Sequence, residues 1–537
     1  MSAIVAAPLL VALGGAIGCL LMRSRPRLLR GVSLLGGVGY LLATVALARA
    51  VFADSDAILV YYLSGWQAPY GITLVADRLS VIFIGLTAIV SLAALWVSVR
   101  TIDASGQRIS YHALYQFMVV GITGSFLTAD IFNLFVWFEV MLMASYVLVV
   151  FHSGPEQTRA GMQYVVLNLL GSAVMLLAIG GLYATTGTLN MADLARRLAE
   201  PAAYGIAPGP VLGLTGLLLC VFALKAGLVP FQFWVPGAYQ AAPPPVTAML
   251  AGVVKKVGVY AIIRLYFSVF AVATIPDSGG LSVVAGEPFL VVFGGVILVM
   301  ALLSILLGGI GATGRNNLDE LLAYSSISQV GFIVLPLAVA ATTLPGDSLF
   351  RAGVLATIVY AIIHGFAKGV LFLVSGAIED HVGTLEFSQL GGISEQAPVL
   401  SGAFFVGGLT LIGIPPLFGF FGKLLVFKVG VEAQNTIGWI AVGATLIGAI
   451  LTITYVTRAW ERAFWGPPNE FVEELTVSPS VVAVIAGLAI IIIALGIGFQ
   501  PVYELANGAT SAVIDTDAYV RAVLGPESAH AIGGGLR

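Results

Sequence analysis

"LKAGLVPFQFWVPGAYQAAPPP", residues 224–245, sets Lys225 near the end of a long apolar run and then places five prolines after it, Pro230, Pro236 and Pro243 to Pro245. An ammonium group at mid-bilayer costs about 2.5–3.5 kcal/mol on insertion scales. A purely structural membrane span has no use for one. Breaking the helix straight after the lysine also frees backbone groups that must face protein or water. The stretch therefore predicts a wet pocket beside a buried titratable amine, the arrangement a transport protein needs.

The rest of the chain is built for the same solvent. Charged residues make up only 9% of it, against about 25% in an ordinary soluble domain, and the mean hydropathy is +1.02. Apolar runs of about 20 residues, enough to cross ~30 Å of hydrocarbon, recur at approximately 2–22, 29–52, 79–99, 112–128, 131–151, 160–185, 210–229, 245–270, 288–312, 318–342, 352–378, 399–429, 436–457 and 479–499. Their continuity implies helices, since a barrel strand would alternate with period two. The expectation is an all-α membrane protein of about fourteen transmembrane helices. The opening run is followed by "RSRPRLLR" and lacks a basic region ahead of it, so it reads as a first span rather than a signal peptide.

Arginines set the orientation. The first loop holds Arg23, Arg25, Arg27 and Arg30, and later odd-numbered loops hold Arg100, Arg108, Arg159, Arg315, Arg458 and Arg462. Even-numbered loops carry Asp54, Asp56, Asp277 and Glu287, while Arg196, Arg197 and Arg351 run against the trend. This bias predicts a cytoplasmic first loop and both termini outside the cytoplasm.

A second interrupted segment, "LIGIPPLFGFFGKLLVFK" at 411–428, carries Pro415, Pro416 and Gly422 just before Lys423. It lies about five spans after the first. Paired broken spans in corresponding halves point to an internal repeat with sites at the breaks, and an odd offset inverts the second unit. Further ionisable residues lie in apolar runs: Glu139, Lys255, Lys256, His364 and Lys368. His364 and Lys368 are four apart and share a helix face. Each has a plainer reading. Lys255, Arg264 and Lys428 can snorkel to an interface, His364 can be a satisfied core group, and Glu139 with Lys225 can be a structural ion pair. None of these explains the whole series across both halves. One acid, several lysines and a histidine form a relay, because a carboxylate nearby favours the charged amine and dry packing favours the neutral one.

Other chemistry is not indicated. No dinucleotide fingerprint, Walker loop, Cys/His cluster or haem motif is present, so no cofactor and no metal site is expected. Cys19 and Cys220 sit in apolar runs and read as small hydrophobes. A net charge of -3 leaves no basic footprint for nucleic acid.

Together these residues resemble the antiporter-like membrane subunits shared by Mrp-type multisubunit cation/proton antiporters and respiratory complex I. The resemblance runs from about Leu59 to Trp465. "LAYSSISQVGF" (322–332) and "HGFAKGVLFLVSGAIED" (364–380) look like signatures of that family. "GWQAPYGITLVADRLS" (65–80) and "DIFNLFVWFEVMLMASYVLVV" (130–150) are most similar to its Mrp D-type branch. The resemblance implies a proton relay of Glu139, Lys225, Lys256, His364 and Lys423, with Lys255 and Lys368 as possible accessories. It implies two inverted five-helix repeats, helices 4–8 and 9–13, each with a broken helix. The chain then divides into N-terminal helices 1–3 (1–111), a first repeat (112–270), a second repeat (288–465), and helix 14 with a C-terminal tail (466–537). The tail beyond Gln500 reads as mildly amphipathic or disordered.

The function so implied is proton translocation within a Mrp-type Na+/H+ antiporter in the cell membrane, alongside other large and small membrane subunits; it is not an enzyme. Protons would enter near Lys256, pass to Lys225, and move through His364 toward Lys423. The alternative is a proton-pumping subunit of a NADH:quinone oxidoreductase or membrane hydrogenase. A stand-alone solute carrier is a third reading.

Overall fold

The computed structural model describes residues 2–54, 57–152, 154–274, 288–472 and 475–526. Asp56, Asp277, Glu287 and the last residues of the expected tail domain lie outside the described residues. Among those described, twelve helices are long and apolar enough to cross a membrane: Ala3–Leu21, Pro26–Phe52, Arg78–Thr101, Ile131–Val149, Pro155–Thr186, Pro208–Ala226, Pro244–Val272, Phe289–Thr313, Leu318–Ala340, Ser348–Val382, Thr436–Phe464 and Pro479–Ile497. The two other expected segments take different forms. Residues near 112–128 form a shorter helix, Tyr111–Leu127. The run at 399–429 is split into Pro398–Ile412 and Phe418–Glu432.

Both predicted breaks are present and are made the same way. Pro208–Ala226 ends at Gly227, whose φ of 70° lies in the left-handed region, and the chain resumes as Trp234–Ala241. Pro398–Ile412 ends at Gly413, with φ of 91°. A left-handed glycine after the last helical residue is a common stop, and the prolines that follow cannot donate the hydrogen bonds needed to restart at once.

The helices Pro244–Val272, Leu318–Ala340 and Ser348–Val382 are enclosed almost completely, whereas Pro26–Phe52 and Pro479–Ile497 stand at the periphery. The enclosed helices therefore form the axis of the bundle. They approach closely where side chains are absent. A Cβ on Gly258 would lie 2.7 Å from Phe222 O and Ala226 N, and one on Gly365 would lie 2.9 Å from Gly252 O. The first contact seats the helix of Lys225 against that of Lys255 and Lys256. The second seats the latter against the helix of His364.

One face gathers both ends of the chain. A short antiparallel hairpin pairs Leu59–Tyr62 with Thr73–Ala76, a small departure from an all-helical fold. Ser2 N–H donates to Val60 O at 3.1 Å, and Tyr62 OH donates to Val523 O at 2.8 Å. As far as residue 526 the tail is ordered into helices. It forms Phe499–Ile514 and Thr516–Leu524, with Val502, Ala506, Ala509, Tyr519 and Val523 buried. The sequence reading underrates it because its apolar positions are spaced for one helix face rather than run together. At the opposite face, Arg30 bonds Gln107 at 3.0 Å and Arg458 bonds Asn316 at 2.7 Å, so arginine-bearing loops that are distant in sequence share that face.

The Gly258 contact yields a direct test. Gly258→Val forces a branched side chain into backbone and should destabilise the protein by about 1–3 kcal/mol. Monodisperse protein recovered from membranes should fall. Gly85→Ala, which meets nothing within 4 Å, should leave the yield unchanged; equal yields for the two variants would contradict this packing.

Candidate functional site

Every predicted relay lysine, and His364, is buried. Glu139 is the exception and is only half-buried. On the first-half side, two positions one turn apart on Pro155–Thr186 serve as bridges. Ser172 Oγ donates to Glu139 Oε1, and Lys225 Nζ donates to Asn168 Oδ1 at 3.2 Å and to Asn168 O at 3.4 Å. Among the described residues the ion pairs do not include Glu139 with Lys225. The acid and the amine thus address neighbouring rungs of one helix.

The break after Lys225 opens onto Lys255. A Cβ on Gly227 would lie 2.9 Å from Lys255 Cε and 3.1 Å from its Nζ. Lys255 Nζ donates to Ser326 O at 3.2 Å. The adjacent residue on Leu318–Ala340, Ser325, bonds Lys368 Nζ through its hydroxyl, and Lys368 also donates to Leu322 O at 2.8 Å. The two residues that the sequence ranks as accessories therefore hold one face of an enclosed helix. Lys255, not Lys256, stands beside the break that follows Lys225.

Lys256 turns the other way. A π-turn, Leu250–Val254, precedes the lysine pair; such turns are rare and cluster at functional positions. Lys256 Nζ donates to Ala251 O, within that turn, at 2.6 Å, and meets His364 Nδ1 at 2.6 Å. Two nitrogens at that separation are within hydrogen-bond reach, and which one donates depends on the tautomer of His364. This contact joins Pro244–Val272 to Ser348–Val382 and hence the two halves expected from the sequence. Among the described residues His364 Nε2 has no hydrogen-bond partner.

From His364 toward Lys423 the polar groups continue. Tyr360, one turn before His364, donates to Gln329 Oε1 at 2.6 Å. Gln329 Nε2 donates to Tyr455 OH at 2.9 Å and to Thr452 Oγ1 at 3.2 Å. A Cβ on Gly422 would lie 2.9 Å from the Tyr360 ring, which brings the second half of the broken helix against this network. Lys423 Nζ lies 4.9 Å from the centre of the Phe332 ring and, among the described residues, has no hydrogen-bond partner. A cation over a ring face is stabilised by about 0.5–2 kcal/mol, so the ring helps to hold the amine in place.

The sequence alone does not single out Asn168, Ser172, Ser325, Ser326, Gln329, Tyr360 or Tyr455 as site residues. A signal exists for some. Asn168 and Ser172 are polar residues four apart in an apolar helix, and the serines and Gln329 lie within "LAYSSISQVGF". Among the described residues no group of three or more His, Cys, Asp or Glu is placed to hold a metal ion.

Comparison with known proteins agrees with this architecture. Residues 128–448 match the family described as NADH:quinone oxidoreductase/Mrp antiporter, TM. The D-type subunit of the Na+/H+ antiporter of Alkalihalophilus pseudofirmus is 34% identical over 91% of this chain and 92% of its own. Its namesake in Bacillus subtilis is 32% identical over 98% of this chain and its full length. A chain of the Mrp complex from Dietzia sp. DQ12-45-1b superposes with a TM-score of 0.84 at 28% identity, covering 98% of this chain and all of that one.

The contact couples Lys256 and His364. Removing Lys256 leaves His364 Nδ1 buried and unpaired, at about 1–3 kcal/mol, whereas removing His364 leaves Lys256 with Ala251 O alone. Lys256→Ala and His364→Ala should each lower the melting temperature of the purified protein, and the double variant should lose less than the two losses combined. Strict additivity would show that the contact carries no coupling.

Proposed function

The chain belongs to the NADH:quinone oxidoreductase/Mrp antiporter family of membrane subunits, and on that basis we propose that it is the proton-carrying D-type subunit of a Mrp-type Na+/H+ antiporter, working beside other membrane subunits in the plasma membrane. The observation that carries this reading is the Lys256–His364 contact. It gives a proton a direct crossing between the helices of the first repeat, 112–270, and those of the second, 288–465. The matched breaks at Gly227 and Gly413 support the repeat, with Tyr111–Leu127 as its fourth helix and the split 398–432 region as its twelfth, in a total of fourteen.

The geometry refines the route. Lys225 hands a proton across the break to Lys255, and the neighbouring Lys256 passes it to His364. Tyr360 and Gln329 lead on to Lys423. Lys368 biases Lys255 from the next serine along Leu318–Ala340. Glu139 acts on Lys225 from the rung below, through Ser172 and Asn168. A rotamer change that brings the carboxylate within ~4 Å of the amine is worth about 4 kcal/mol at an effective dielectric constant near 20. That is roughly a thousandfold in proton occupancy, enough to hold and then release one proton per cycle. The bias of arginine toward one set of loops supports placing that face in the cytoplasm and both termini outside.

Lys225→Ala and Glu139→Ala tell this reading apart from a structural pair. Expressed with the companion subunits, both variants should assemble, fail to support growth at high sodium, and lose sodium-driven proton flux in everted vesicles without any need for NADH. Normal growth of either variant would contradict the relay. A flux that appears only with NADH would assign the chain to a redox-driven pump instead.

A further inference from the structure

One side of Pro244–Val272 remains polar well beyond the relay. Lys256, Tyr260, Arg264 and Ser268 recur every four residues, so they line a single face, and all four are buried. At 1.5 Å per residue they lead about 18 Å from the relay toward the face that carries both termini. Tyr260 OH meets Ser80 Oγ at 3.2 Å and donates to Phe126 O at 2.8 Å. Arg264 Nη2 pairs with Asp77 Oδ2 at 2.5 Å, and that carboxylate also caps Arg78–Thr101 by accepting from Ser80 N at 2.9 Å.

The C-terminal helix Thr516–Leu524 closes the end of this column. The Tyr519 ring lies 5.2 Å from the Arg264 guanidinium carbon, and Thr516 Oγ1 donates to Ser268 O at 3.2 Å. Among the described residues, Arg264 Nη1, Ser268 Oγ and Tyr519 OH are buried with no hydrogen-bond partner. Buried polar atoms are normally paired, so three together point to water as their partner. On the same face, Asp130 lines an open cavity of about 440 Å³ with Asn133, Thr188 and Arg197.

We propose that this column is the doorway by which protons pass between Lys256 and the face carrying the termini, and that Tyr519 is the hydroxyl that gates it. The inference rests on the proton-carrying reading above. Each hydroxyl, Tyr260, Ser268 and then Tyr519, accepts a proton on an oxygen lone pair and releases its own on the far side, with water spanning the gaps, so no group gains or loses charge over a passage. Arg264 stays protonated throughout. Paired with Asp77 it presents little net charge, so it holds the column open without repelling a proton in transit. Tyr519 sets the gate because its ring covers Arg264 at the outer end of the column.

The test uses the full chain assembled with its companion subunits in membrane vesicles. Tyr519→Phe keeps the ring over Arg264 and removes only the hydroxyl. Assembly should be unchanged, proton flux should drop roughly tenfold or more, and the remaining flux should slow further in deuterium oxide relative to wild type. A purely structural tyrosine would leave that isotope ratio unmoved. In a chain with Cys19→Ala and Cys220→Ala, Ser268→Cys should react with a small charged thiol reagent applied to the termini face. Unchanged flux in Tyr519→Phe, an unmoved isotope ratio, or a Ser268→Cys chain that resists labelling would each overturn the doorway. Lys225→Ala serves as the reference in the same vesicles: lost flux there with normal flux in Tyr519→Phe rejects the doorway alone, whereas retained flux there rejects the underlying reading.

Discussion

Lys256 and His364 meet at 2.6 Å in the most enclosed part of the bundle, and much of the surrounding architecture can be understood as what makes that contact possible. The helices that carry them must come close, and Gly252 and Gly365 remove the side chains that would hold them apart. After the π-turn, the two consecutive lysines go to different neighbours, one to Ser326 and one to His364. Two consecutive residues on a regular helix point about 100° apart, so one helix supplies a branch point without any change of element.

The cost of burying so many amines is met locally. Lys225, Lys255 and Lys368 each lean on a backbone carbonyl or a polar side chain of the neighbouring helix. Lys423 leans on the Phe332 ring. None of these partners is a carboxylate, and that suits a relay. A permanent buried ion pair would keep the amine charged throughout, because removing one partner costs about 3–5 kcal/mol, whereas a carboxylate that approaches and withdraws lets the amine release its proton. Arg264 and Asp77 show the contrast. There the partner is a carboxylate at 2.5 Å, the charge is permanent, and in the proposed doorway the pair shapes the path rather than carrying the proton.

Much of this is legible in the sequence because lipid leaves so few options. An apolar run of 20 residues has to be a helix, and a lysine inside one stands out. The breaks are legible from proline and glycine, and Gly227 and Gly413 sit where those residues predict. What escapes is whatever depends on which neighbour a side chain meets. The spacing of Lys255 and Lys256 does not say which of them faces the break. Asn168, Ser172 and Gln329 are neutral, so they carry no insertion penalty large enough to attract notice. The tail from Phe499 to Leu524 lacks long apolar runs, although its buried positions recur at helical spacing.

The central claim is a continuous wet row of titratable groups through the middle of the chain. A map of the assembled protein at a resolution that reveals individual water molecules tests it most directly. The account predicts ordered water bridging Lys225 to Lys255 across the Gly227 break, and bridging the free Nε2 of His364 to Lys423 past Tyr360. Apolar side chains filling either gap, with no polar density between the amines, would contradict it.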